Sequence, residues 1–202
     1  MVLKRDINGF GAMPLALLAL VCALVVGLLA GAGAQAKPHH KHKNPCREWG
    51  NTNPTKLKAP QARKSIACFL NKERGRHGLH KLDVTTSLNR AAQDHTEYMR
   101  RHHCFDHECR GERTLDSRLK HTNYLKSGMT SWTYGENIAW GGGHLGTPKG
   151  MVKAWMHSSG HRANILNGSF RDLGIGFEKG SPSSRHANGG IYTTDFGYRS
   201  FG

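Results

Sequence analysis

Apolar residues recur at helical spacing in four stretches of this chain and alternate with polar ones in three more. Ile66, Phe69 and Leu70 form one face of a helix opening at Ala59-Pro60-Gln61, with the proline early in its first turn; Gly75 and Gly78 end it. Leu88, Ala91, Ala92, His95 and Met99 repeat as the inner face of a second helix, for which Thr86 supplies the cap. His95 on that face reads as a core histidine whose ring meets a polar partner. Leu115 and Leu119 predict a third helix over 113–123. Thr147-Pro148 starts a fourth, cap followed by first-turn proline, and Met151, Val152, Trp155 and Met156 form its packing stripe. Ser158-Ser159-Gly160 breaks that helix, and Ser159 is placed to cap a short one beginning near His161. Residues 172–179 and 190–198 alternate like strands across a Gly/Ser/Pro/Asn-rich loop, and residues 130–139 add another. Helices first and strands last, with few parallel-crossover signals, predict an α+β domain.

The N-terminal stretch departs from these periods. Lys4 and Arg5 precede a run from Ala12 to Ala34 without a charged residue, and Ala34-Gln35-Ala36 is a small-x-small cleavage site. Residues 1–36 therefore read as a secretion signal, expected to be removed to leave Lys37–Gly202. The competing reading is an uncleaved anchor, since the run is long enough to span a bilayer. Its Gly/Ala-rich last third favours removal. Residues 37–60 begin Lys-Pro-His-His-Lys-His-Lys, stay rich in Lys, Asn and Pro, and read as a basic, solvated arm. Residues 61–202 form the folded domain, long enough for one core.

Five cysteines become four when Cys22 leaves with the leader. An even number in an exported chain predicts disulfides, with three connectivities open. The favoured one joins Cys104 to Cys109, which would hold His107 in a tight loop, and Cys46 to Cys68, which would tie the arm to the first helix. The formal net charge of +15 falls by one when Lys4, Arg5 and Asp6 are removed. So basic an exported protein is expected to adhere to anionic cell-surface polymers or lipid headgroups. Specific nucleic-acid recognition is not expected, because neither a base-reading basic helix nor an aromatic-rich sheet motif is present.

Chemistry concentrates in five blocks: Cys104-Phe-Asp-His107, Tyr-Gly-Glu-Asn-Ile-Ala (134–139), Ala-Trp-Met-His-Ser-Ser-Gly-His-Arg-Ala-Asn-Ile-Leu (154–166), Leu-Gly-Ile-Gly-Phe (173–177) and Tyr-Thr-Thr-Asp-Phe-Gly (192–197). In this order they resemble the CAP superfamily of cysteine-rich secretory proteins, venom antigens and pathogenesis-related proteins, in its short bacterial form, over roughly Ala62 to Arg199. The resemblance implies a three-layer α-β-α sandwich around a central antiparallel sheet, a secreted location, and a central cleft. In many family members that cleft carries two His and two Glu that hold zinc or another divalent cation. Matched position by position, His107 and Glu136 are kept, while Ser158 and Ile191 stand where the family has its second glutamate and second histidine. His161, from the Ser-Gly-His-Arg block, falls near the lost glutamate. The expected ligand set is His107, Glu136 and His161, with water completing the coordination.

The expected function is an extracellular binding or interaction module acting through that cleft, assisted by the divalent ion. The alternative is an extracellular peptidase or esterase, with Ser158 or Ser159 as nucleophile, His161 as base and Glu136 as orienting acid. No Gly-x-Ser-x-Gly elbow supports it. Binding of an apolar ligand is a third class, but Trp132, Trp140 and Trp155 read as core or rim packing. After cleavage of the leader no stable membrane span is expected.

Overall fold

The computed structural model describes residues 2–3, 7–12, 44–183 and 188–202. The elements run β1 (Val2–Leu3), β2 (Ile7–Ala12), α1 (Pro45–Trp49), a 3-10 turn (Pro54–Lys56), α2 (Ala59–Arg76), β3 (Asp83–Val84), α3 (Thr86–Arg101), α4 (Leu115–His121), β4 (Met129–Gly142), α5 (Pro148–His157), α6 (Ser159–Ile165), β5 (Asp172–Lys179) and β6 (Gly189–Phe201). The sheet order is β1-β4-β6-β5-β3, with β2 also paired to β4. All pairs are antiparallel except the two-residue β3 against β5.

Helices cover both faces, which makes the fold the expected three-layer α-β-α sandwich. On one face α2, α5 and α6 bury Ile66, Leu70, Trp155 and Ile165 against Leu173, Ile175, Tyr192 and Phe196. On the other, α3 and α4 bury Leu88, Ala91, Leu115 and Leu119 beside Tyr124, and Met99 meets Ile138 and Ile191. The alternation of β6 divides it cleanly. Tyr192 and Phe196 face α2 and α5, whereas Ile191 and Thr193 face α3, where the Thr96 hydroxyl donates to Thr193 at 2.8 Å.

The Leu-Gly-Ile-Gly-Phe block works through its glycines. A Cβ on Gly174 would lie 2.2 Å from the Leu88 backbone carbon, and one on Gly176 would lie 2.2 Å from the Ala92 carbonyl oxygen. Only bare backbone lets α3 lie directly on β5. That close approach places His95 over the middle of the sheet.

Several boundaries differ from expectation. Thr85, not Thr86, is the N-cap of α3, its hydroxyl accepting from the Leu88 N–H. Ser158 rather than Ser159 occupies the cap position of α6, without a side-chain cap bond. Residues 44–60, expected to be solvated, carry α1 and the 3-10 turn, and Leu57 is wholly buried in the main core. The short-range reason is capping: Asn44 and Asn53 accept from the backbone N–H groups of Cys46 and Thr55. Both favoured disulfides are present, Cys46–Cys68 and Cys104–Cys109. Most of the expected leader and residues 37–43 lie outside the described residues. Among the described residues no helix is long and apolar enough to cross a membrane. Ile7–Ala12 pairs with Ser131–Glu136, so removal of residues 1–36 would uncover that edge of β4.

Candidate functional site

Strand alternation splits the Gly-Glu-Asn block. Asn137 points to the α6 side, where its amide donates to the His161 carbonyl at 3.0 Å and its Oδ1 accepts from Asn164 at 2.9 Å. Glu136 therefore points to the α3 and α4 side, and it is fully buried. There Oε1 is 2.6 Å from His107 Nδ1, and the Arg118 guanidinium donates to Oε2 at 3.0 Å and to Oε1 at 3.3 Å. Arg118 also donates to the His107 carbonyl at 3.0 Å, so one guanidinium fixes both the carboxylate and the loop carrying the histidine. The Cys104–Cys109 bridge closes that loop around His107.

His95 extends the network from above. Its Nδ1 lies 2.8 Å from Glu112 Oε1, and its Nε2 lies 3.8 Å from Glu136 Oε1. The expectation of a polar partner for this buried ring holds. Glu112 and Arg118 in turn line a cleft of about 550 Å³ with Asp94, Tyr98, Arg113 and His121.

Asp195 lies directly opposite Glu136 in the β4–β6 register and is also fully buried. Among the described residues neither of its carboxyl oxygens meets a hydrogen-bond donor. Burial first, and the Glu136 charge second, raise its carboxyl well above the usual Asp range, against a partial offset from Arg118. Asp195 is therefore pushed toward its neutral form beside the charged Glu136. Burial opposes ionisation of Glu136 too, but Arg118, His95 and His107 outweigh it and hold that carboxyl well below the usual carboxylate range. Two carboxyls in one pocket are thus driven apart, one charged and one neutral.

A test follows from the sign of the Asp195 shift. Its raised value contributes stability that is present below the ordinary Asp pKa and lost as pH rises through the raised one. Asp195→Asn, an uncharged mimic of the protonated acid, should remove that loss. The variant is expected to gain on the parent as pH rises above about 4, at up to about 1.4 kcal/mol per pH unit until Asp195 ionises. Thermal unfolding of both proteins across pH 4–9 reads this directly; a constant difference at every pH would show that Asp195 ionises normally.

Of the three expected ligands, His107 and Glu136 meet and His161 does not join them. His161 is on α6, in the layer that Asn137 faces, and its Nδ1 is 2.7 Å from Ser158 Oγ. That pair has the spacing of a helix N-cap and the third helical residue, which meet at helix starts for local reasons. Among the described residues no three His, Cys, Asp or Glu side chains gather as a metal-ligating group. The donor chemistry does not fit a divalent ion at Glu136, since the Arg118 fork already lies against both carboxylate oxygens and would repel a second cation. The hydrolytic arrangement is not assembled either: the Glu136 oxygens face His107 and Arg118 rather than His161.

Sequence reasoning passed over Arg118, Glu112 and Asp195. For two of them a signal existed. Arg118 occupies the inner phase of α4, between Leu115 and Leu119, and Asp195 sits at an inward position of β6 beside Phe196. A charged residue in a buried phase implies a buried counterpart.

An α-β-α sandwich with bridged loops and a buried His–Glu–Arg network beside a cleft defines a small cysteine-bridged module. The family model described as the cysteine-rich secretory protein family (CAP) matches residues 69–196, and the chain belongs to that family. It is 38% identical over 120 residues to the uncharacterized protein YkwD of Bacillus subtilis (strain 168), covering 58% of this chain and 43% of that protein. It is 30% identical over 118 residues to the uncharacterized membrane protein YlbC of the same organism, covering 57% of this chain and 31% of that one. The chain thus spans less than half the length of these relatives. A solved extracellular protein containing an SCP domain, from Bacillus anthracis, superposes with a TM-score of 0.53 at 26% identity, over 69% of this chain and 43% of that one. An outer surface protein of Borrelia burgdorferi superposes with a TM-score of 0.57 at 18% identity, over 71% of this chain and 97% of that one, which is a likeness of fold.

Proposed function

We propose that the protein is an exported binding module that recognises a short polar ligand in the cleft between α3, residues 111–113 and α4. Export is supported by the basic, apolar and small-residue sequence of residues 1–36, by the two disulfides, and by the extracellular or outer-surface description of the structural neighbours. The observation that carries the binding reading is the cleft wall. Asp94 and Glu112 line it together with Arg101, Arg113 and Arg118, and Tyr98 lies among them. Interleaved charges of both signs suit a zwitterionic ligand such as a short peptide, whose two termini need opposite partners. The buried network beneath acts as a rigid floor, because Arg118 and Glu112 are held from behind by Glu136 and His95. In this reading Arg118 does what a bound cation does elsewhere, neutralising the inner carboxylate. Fold alone licenses no reaction, and none is assigned.

The test is a ¹H–¹⁵N correlation titration of the mature protein with di- and tripeptides of mixed charge. Saturable shifts are expected at Tyr98, Gly111, Glu112 and His121, and they should vanish in an Arg113→Gln variant of unchanged fold. Shifts scattered over the surface, or none up to millimolar peptide, would refute the assignment.

A further inference from the structure

A second concave surface shares no residue with the cleft just described. It is a groove of about 880 Å³ between α1, α2 and the segment leading into α3. Its floor is apolar, built from Ala67, the Cys46–Cys68 bridge and Val84, which is 49% exposed. Its walls are basic. Arg47, Arg63, Lys64, Lys72 and Lys81 line it, and among the described residues no acidic one does.

No carboxylate among the described residues neutralises this charge. Among the described residues Arg47, Lys64, Lys72 and Lys81 make no ion pair, although pairs form elsewhere, such as Arg76 with Glu73 and Lys120 with Asp116. The groove is also braced. Arg63 donates to Gln93 Oε1 at 2.8 Å, and Asn71 exchanges two hydrogen bonds with the Leu82 backbone, at 2.7 and 3.0 Å, fixing the segment that carries Lys81. The bridge ties α1, and with it Arg47, to α2.

We infer that this groove binds a linear polyanion whose phosphates are separated by short non-aromatic spacers. Charge complementarity fixes the sign of the partner. The chain's own preceding residues 37–43 carry Lys37, Lys41 and Lys43 and so do not complement the groove's charge. A recessed groove follows a single chain better than it follows the plane of a bilayer. The lining holds no Phe, Tyr or Trp on which bases could stack, so a nucleic acid would lack the contacts that distinguish it from a plain phosphate polymer. The apolar floor accommodates aliphatic spacer groups while the rim takes the phosphates.

The experiment measures binding of the mature protein to a poly(glycerol phosphate) oligomer by calorimetry at several salt concentrations. A Lys64→Gln/Lys72→Gln/Lys81→Gln variant is expected to bind at least about tenfold more weakly. The slope of log affinity against log salt should flatten by about 2, as three lost phosphate contacts predict for a single-stranded polyanion. The comparison variant Lys149→Gln/Lys153→Gln/Lys179→Gln removes the same charge from exposed positions outside the groove and should lose less than about threefold. Equal losses in the two variants would reduce the effect to net charge and overturn the inference. So would a groove effect seen only with phosphatidylglycerol vesicles, or tighter binding of oligothymidine with the same number of phosphates.

Discussion

Replacing Glu136 and Asp195 together should cost far more than the two single changes added. Arg118 is 4% exposed, and its guanidinium is compensated chiefly by Glu136. Leaving a buried charge without its partner typically costs about 3–5 kcal/mol. Glu136→Gln alone should fall short of that, because loss of the Glu136 charge removes a principal force holding Asp195 neutral. Asp195 then ionises and faces Arg118 in its place. An expected outcome is about 2 kcal/mol for Glu136→Gln at pH 7, little or no loss for Asp195→Asn, and about 4 kcal/mol for the double variant. Against a usual total of about 5–15 kcal/mol, the double variant is close to unfolding. Acid should erase the contribution of Glu136 in the parent. Its depressed pKa supplies stability present above the ordinary Glu value and lost as pH falls toward the depressed one. Denaturant unfolding of the four proteins closes the cycle. Strict additivity would mean that Asp195 cannot replace Glu136, and the picture of one shared negative charge would fail.

Arg74→Met is the second large effect, expected at about 4 kcal/mol. Arg74 is wholly buried on α2. Among the described residues it meets no carboxylate; its donors reach four carbonyls, His80 at 2.8 Å, Ile165 at 2.8 Å, Asn167 at 2.9 Å and Phe170 at 3.2 Å. Burial, and then the nearby Arg171 charge, lower its pKa, yet a guanidinium remains charged at neutral pH. Three of those carbonyls belong to the end of α6 and the turn after it, so one side chain staples that turn to the first long helix. Methionine fills the volume but removes the donors from four carbonyls, two buried and two part-buried, at about 1–3 kcal/mol for each that water cannot reach. Lysine cannot restore the fork, since a single ammonium does not span four divergent carbonyls. Arg74→Lys should therefore recover less than half the loss. Hydrogen exchange should rise first in residues 159–171, freeing Asn164, which otherwise donates to the Glu136 carbonyl at 3.2 Å. A loss under about 1 kcal/mol, or exchange rising uniformly, would show that the turn stands without Arg74.

Local order decided most of the elements. The inner stripes of α2, α3 and α5 and the alternation of β5 and β6 were legible because period alone assigns them. Thr147-Pro148 marked the start of α5, since a hydroxyl and a missing N–H suit the first turn wherever the chain goes next. The block order carried the family, and the cysteine spacings carried both bridges. Glu136 and His107 were legible as partners through that resemblance.

Tertiary structure decided what the polar residues do. Nothing within a few residues of Leu57 says that the end of the arm enters the core, because its burial depends on a pocket formed by distant helices. His161 and Glu136 stand close in the motif pattern, yet adjacent strand residues face opposite sides of a sheet, so Asn137 turns to α6 and Glu136 to α4. Arg118 and Asp195 displayed their phase but not their partners. A charge in low dielectric is defined by whatever lies within a few ångströms, and those neighbours come from four elements that only folding brings together.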